Sequence, residues 1–285
     1  MTDAFYYSGP IARGADLDFI KHVLTERRSS DAKESNSDNG QSDRVLLVMA
    51  TMGGDPDAAY KISRFLQEHY DHFTVIVPSM CKSAGTLLAV GAEELAFCPY
   101  GELGPLDVQI NKADEIVRLE SGLNIDEAFR TLEYRAIDMF HTMIQQITTA
   151  TRGVVTFPTA SGVASGFSSS LYGQVLGKID PEEVGSRARA MRVGEEYCAR
   201  LNKKFENLRE MKLRALSRTY PNHGFVIDMR EARDYFKIVR EATEYEKTLF
   251  NKVEEVCIWP RMEPIFGTIP VNDGENEDGN KSDGE

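Results

Sequence analysis

Two short glycine turns carry the residues best suited to chemistry. The first is Met52-Gly53-Gly54-Asp55-Pro56 and the second is Met80-Cys81-Lys82-Ser83-Ala84-Gly85-Thr86. Each follows a continuous apolar run. A serine flanked by small residues just before a helix has the backbone freedom to expose its hydroxyl. The Ala84 N–H would then point at an oxyanion beside it, and the Gly53-Gly54 backbone offers a second N–H. This is the logic of a nucleophile elbow, without its Gly-x-Ser-x-Gly string. Both turns also have a plain structural reading. Gly-Gly often follows a strand, and Ser is a common helix N-cap.

The surrounding elements place the two turns side by side. VLLVMA (45–50), FTVIVP (73–78) and ELAFCP (94–99) are continuous apolar runs, the mark of buried parallel strands. Between them, 58–70 has a helical apolar face and 86–93 reads as a short apolar helix. Strand–turn–helix repeated in this way predicts an α/β fold with a parallel sheet surrounded by helices. In such sheets, ligands bind at the carboxyl ends of the strands, where both turns lie. An amphipathic helix is expected over 16–27, and a polar low-complexity loop over 27–43. Beyond residue 113 the chain reads as mostly helical. One long helix is expected over 125–147, one or two over 180–218 and another over 228–250. The Gly/Ser/Thr-rich stretch 153–173 reads as a long, functional loop.

Composition narrows the function. The chain has 285 residues, 41% hydrophobic and 27% charged, with a formal net charge of −12. Such an acidic chain argues against nucleic-acid binding and against anchoring on an anionic membrane. The run 153–177 is uncharged but too rich in Gly, Ser and Thr to be stable in a bilayer. No secretory leader is visible at the N-terminus. Cys81, Cys98, Cys198 and Cys257 are scattered, with neither a CxxC pair nor zinc-ligand spacing, so reduced thiols in the cytoplasm are expected. Residues 271–285 hold almost nothing apolar and read as a disordered acidic tail.

The run ATMGGDPDAAYKI … VIVPSMCKSAGTLLAVGAEELAFCPYGELGPLD resembles the core of the Clp-protease/crotonase superfamily. Its best specific match is the serine dehydrogenase proteinase family, related to signal peptide peptidase. Leu103-Gly104-Pro105-Leu106-Asp107 and Tyr220-Pro221-Asn222-His223-Gly224-Phe225-Val226-Ile227-Asp228 also look like that group. The resemblance implies a Clp/crotonase-like domain over 1–250, with 27–43 as a loop insertion. A C-terminal extension, 251–285, would end in the tail. It further implies a serine peptidase with Ser83 as nucleophile and an oxyanion hole from Gly53, Gly54 and Ala84. No metal or organic cofactor is implied. Peptides or unfolded proteins would be the substrates, and the chain would form a homo-oligomer.

The base is read from the same resemblance. The slot that holds the Clp peptidase's histidine falls on Asp107, and the slot of its aspartate falls on His223, so the two residue types are exchanged. His223 would take the proton from Ser83, with Asp107 orienting it. Each has a structural alternative. His223 suits a Pro-Asn-His-Gly turn, and Asp107 can accept from turn amides. His141, on the 125–147 helix, is the second-choice base or a half-buried structural histidine. His22, His69 and His72 read as surface residues. Signal peptide peptidases use a helix lysine instead, but 125–147 offers only Arg130 and Arg135, which stay protonated. Lys112 precedes that helix, and Lys82 adjoins Ser83 with a side chain expected to diverge from it. Two other functions share the fold: a catalytically inactive oligomeric scaffold or peptide-binding module, and crotonase-type acyl-CoA chemistry.

Overall fold

The run at 45–50 forms the buried centre of the fold. Its side chains alternate between the two faces of a sheet. Val45, Leu47 and Met49 join one core with Phe19, Ile62, Leu66 and Leu88, whereas Leu46, Val48 and Ala50 join another with Leu249 and Phe250. A strand apolar on both sides must be covered by helices on both sides, which sets the layered architecture.

The computed structural model describes residues 2–31, 43–106, 109–111, 119–177, 180–220 and 224–271. These fall into two compact units, Met1–Val108 with Arg192–Glu285, and Gln109–Met191. In the first unit, strands β1 (Thr2–Ser8), β2 (Arg44–Ala50), β3 (His72–Val77), β5 (Glu94–Phe97), β9 (Val239–Glu241) and β10 (Ile265–Thr268) form one sheet of order β10-β1-β2-β3-β5-β9. Neighbours run parallel except β10, which is antiparallel to β1. Helices α1 (Ala15–Asp31), α2 (Pro56–His69) and α3 (Ala84–Val90) connect successive strands, and α9 (Glu244–Cys257) covers the opposite face. Short strands β4 (Met80–Cys81) and β6 (Glu102–Leu103) pair beyond the end of β3. Thr51 bridges Cys81, and Leu103 bridges Ile227, so four chain segments are stitched together there. Two short helices, α7 (Lys212–Arg218) and α8 (Met229–Tyr235), complete this unit.

Helix α2 shows how the first glycine turn is held. Asp55 is its N-cap, accepting from the amides of Asp57 and Ala58 at 2.8 and 3.1 Å, and Pro56 fills the first turn. Two buried polar side chains tie α2 to its neighbours. Ser63 donates to the Leu88 carbonyl at 3.0 Å, and Gln67 donates to the carbonyls of Gly91 and Leu201 at 2.7 and 2.8 Å.

The second unit holds strands β7 (Gln109–Asn111) and β8 (Leu119–Ser121), which pair antiparallel, and helices α4 (Gly122–Ala150) and α5 (Phe157–Leu176). Helix α6 (Pro181–Phe205) crosses the boundary in sequence. Among the described residues no helix is long and apolar enough to cross a membrane.

Three expectations are corrected. The stretch 153–173 is not a loop: most of it is α5, which packs on α4 through Ala160, Ala164 and Ser168. Small residues four apart let two helix backbones approach closely, and that packing overrides the poor helix propensity of Gly and Ser. The stretch 228–250 is not one helix, because β9 interrupts it to extend the sheet beside β5. Residues 27–31 belong to α1 rather than to a loop, while 32–42 and the tail beyond 271 lie outside the described residues.

Candidate active site

The carboxyl ends of β2 and β3 bring the two glycine turns together. Gly53 and Gly54 have φ of +112 and +145, values favourable only to glycine. The turn is held from one side by the residue after β1: Ile11 N–H donates to the Gly53 carbonyl at 2.9 Å, and the Asp55 N–H donates to the Ile11 carbonyl at 2.7 Å. In this parallel bridge the N–H of Gly54 is directed away from Ile11. Thr51 fixes the turn internally, its hydroxyl accepting from the Gly53 N–H at 2.9 Å.

Ser83 stands opposite. It occupies the N-cap position of α3 with φ 51 and ψ −110, and it makes no side-chain capping hydrogen bond. The plain N-cap reading therefore does not hold. A non-glycine residue at positive φ costs about 1–3 kcal/mol and persists only where its surroundings over-determine it. Gly85 supplies part of that constraint, because a Cβ there would lie 2.5 Å from Thr51 Cγ2 and 2.9 Å from Cys81 Sγ. Its bare α-carbon lets α3 sit directly on the strand ends.

Between the turns lies a small cavity of about 10 Å³, lined by Gly54, Pro56, Ser83, Ala84, Leu87, Leu106 and Gly194. That is room for about one water-sized atom group. The volume suits a single oxygen beside the Gly54 and Ala84 backbone. Ser83 and Ala84 are nearly buried, at 4% exposure each, so an oxyanion here would be screened from solvent.

The structure places Gly53, Gly54, Ser83 and Ala84 side by side. Asp107 and His223 lie outside the described residues; Leu106 and Phe225 lie within them. Leu106 lines the cavity, and the Phe225 carbonyl accepts from Lys82 Nζ at 3.2 Å. Tyr220 is anchored by donation to Glu231 at 2.6 Å and by a 2.7 Å hydrogen bond to the Tyr235 hydroxyl. His141 is exposed on α4 in the second unit, edge-on to Phe140, rather than half-buried. His72 pairs with Glu93 at the amino end of β3, away from the turns, and His22 bonds Thr268.

Sequence reasoning missed Thr51, Leu106 and Gly194 as parts of the site. Thr51, at the strand end, carried a readable signal; Gly194 joins from a distant helix and carried none. All four cysteines are free and buried, and burial pushes the thiols of Cys81, Cys198 and Cys257 up to about 12 and that of Cys98 to about 11. Among the described residues, no group of acidic, histidine or cysteine side chains is placed to hold a metal ion.

A mostly parallel sheet flanked by helices, with a glycine turn packed on a strained serine at adjacent strand ends, is a ClpP-like fold. Residues 35–147 match the family of ClpP-like SDH-type serine proteinases. Two curated relatives are uncharacterized proteins of Methanocaldococcus jannaschii. MJ1495 is 36% identical over 24% of this chain and 23% of its own length. MJ0137 is 34% identical over 30% of each. The match thus spans less than a third of either relative. Two solved structures of the 1510-N membrane-bound stomatin-specific protease are also similar, both of variants. One is 16% identical with a TM-score of 0.29, covering 49% of this chain and 60% of that one. The other, in complex with a substrate peptide, is 18% identical with a TM-score of 0.31, covering 50% and 57%.

Proposed function

We propose that the chain is a Clp-fold serine peptidase with Ser83 as nucleophile. The carrying observation is the strained Ser83 beside a cavity of about 10 Å³ bounded by Gly54 and Ala84. In this reading Ser83 Oγ attacks the scissile carbonyl carbon and His223 takes its proton, oriented by Asp107. The Gly54 and Ala84 amides stabilise the tetrahedral oxyanion. His223 then protonates the leaving amine, and water resolves the acyl-enzyme. Peptides or unfolded segments are the substrates in this reading.

The four buried free thiols support a reducing compartment, the cytoplasm. Helix α5 supports a homo-oligomer, because Val163, Phe167 and Leu171 lie four residues apart and are all about half exposed. Fluorophosphonate labelling tests the central assignment: the probe is expected on Ser83 of the wild type and on no residue of Ser83→Ala.

A further inference from the structure

Lys82 adjoins Ser83 in the chain, and its side chain is engaged by other segments. The left-handed φ of Ser83 reverses the backbone there, and the Lys82 side chain passes into the protein at only 2% exposure. Its Nζ donates to the Leu103 carbonyl at 3.3 Å and to the Phe225 carbonyl at 3.2 Å. The Glu102 carboxylate completes the set at 2.8 Å. An ammonium has three N–H groups, and here three acceptors surround it. Gly104 makes room for the stem, since a Cβ there would lie 2.7 Å from Lys82 Cδ.

The backbone of the same residue is equally engaged. Its N–H donates to the Thr51 carbonyl at 2.9 Å, and its carbonyl accepts from the Gly85 N–H at 2.8 Å. Lys82 therefore touches four segments: the glycine turn, the start of α3, β6, and the stretch entering Ile227. Burying a charge is expensive unless it is paired and fully hydrogen-bonded. An apolar stem would fill the same slot more cheaply. What the ammonium adds is the ability to draw two carbonyl oxygens and a carboxylate to one point. Leu103 leads through Gly104 and Pro105 to Leu106, a wall of the cavity beside Ser83. In sequence, Asp107 follows Leu106 directly, and His223 precedes Phe225 by two residues.

We infer that Lys82 is a positioning residue for the peptidase site, an inference that rests on the Ser83 assignment above. Its ammonium clamps β6 and the Phe225 segment to the nucleophile turn. Its backbone holds Ser83 in the conformation that faces Gly54 and Ala84. Lys82 is not the base in this reading, because its three N–H groups are matched by three acceptors, Leu103, Phe225 and Glu102.

The test is the rate of fluorophosphonate labelling of the full chain between about pH 5 and 10, for wild type, Lys82→Met and Gly104→Ala. Folding is followed by circular dichroism. Wild type is expected to label on Ser83. Lys82→Met is expected to label about 100-fold more slowly at every pH, with the same apparent pKa and with the maximal labelling rate, rather than the half-saturating probe concentration, changed. Gly104→Ala presses on Lys82 Cδ and is expected to give the same loss with the charge retained. It decides the matter if Lys82→Met does not fold. Labelling of a folded variant within about twofold of wild type would overturn the inference. So would loss of the rise in labelling rate with pH in Lys82→Met, which would make Lys82 the base. An unlabelled wild type overturns the Ser83 assignment itself, a separate and recognisable outcome.

Discussion

Gly53 and Ser83 are packed so closely that no side chain fits between them. A Cβ on Gly53 would stand 2.7 Å from Ser83 Cβ and 3.2 Å from its Oγ. The glycine turn and the serine turn are therefore one surface, each shaping the other. Gly53→Ala must strain a backbone at φ +112 and push the serine aside. The expected result is fluorophosphonate labelling slowed about 100-fold, with a stability loss of about 1–3 kcal/mol. Labelling kinetics and a urea titration of the same sample check both.

Gly85 makes the corresponding contact on the other side of the serine. Gly85→Ala would press a methyl into Thr51 Cγ2 and Cys81 Sγ, both buried. Overpacking of this kind costs about 1–3 kcal/mol. Chemical denaturation should show a lower midpoint with an unchanged slope.

Arg240 joins the last strand to the sheet by pairing with Glu94 at 2.9 Å and with the buried Glu246 at 2.6 Å. Arg240→Met leaves Glu246 without its cation, and removing one partner of a buried pair costs about 3–5 kcal/mol. The arrangement also sets an acid dependence. Burial alone would raise the Glu94 carboxyl, but hydrogen bonds from Arg240 and Thr74 outweigh it and hold Glu94 below its usual range. Its folded value is thus lower than its unfolded value of about 4.3. The stabilisation is complete above that pH and is lost as pH falls through the folded value. Glu94→Gln should flatten the fall in thermal midpoint below about pH 4.3, measured by calorimetry.

The buried thiols should be silent in the native protein. Thiolate is the reactive form, and burial raises Cys81 and Cys198 to about 12. A thiol-disulfide reagent at mild alkaline pH is expected to leave the folded chain unmodified and to titrate all four cysteines after unfolding.

Helix α5 carries the oligomer expectation. Replacing Val163, Phe167 and Leu171 together by Gln should lower the assembly state in sedimentation velocity, while monomer stability changes little because all three are exposed. Unchanged sedimentation would remove this face from the assembly.

Much of the site was legible because it is local. The apolar runs ending at Ala50 and Val77, each followed by a glycine-bearing turn, place Gly53, Gly54, Ser83 and Ala84 within two short segments. The role of Lys82 was not legible, since it depends on Glu102, Leu103 and Phe225, the last of them 143 residues away. Helix α5 was misread because its composition resembles a loop. What decides it is packing on α4, which no single-segment propensity records. β9 and β10 are three and four residues long, too short for a periodic pattern to stand out. The pairing of β9 with β5 and of β10 with β1 fixes them instead.

The proposed peptidase mechanism depends on Ser83 as an activated nucleophile served by His223. Fluorophosphonate labelling followed by peptide mapping, on wild type, Ser83→Ala and His223→Ala, tests it most directly. A single labelled peptide containing Ser83 is expected in the wild type, with loss of the label in both variants. A correctly folded wild type that takes no label, or a label that survives Ser83→Ala, would contradict it.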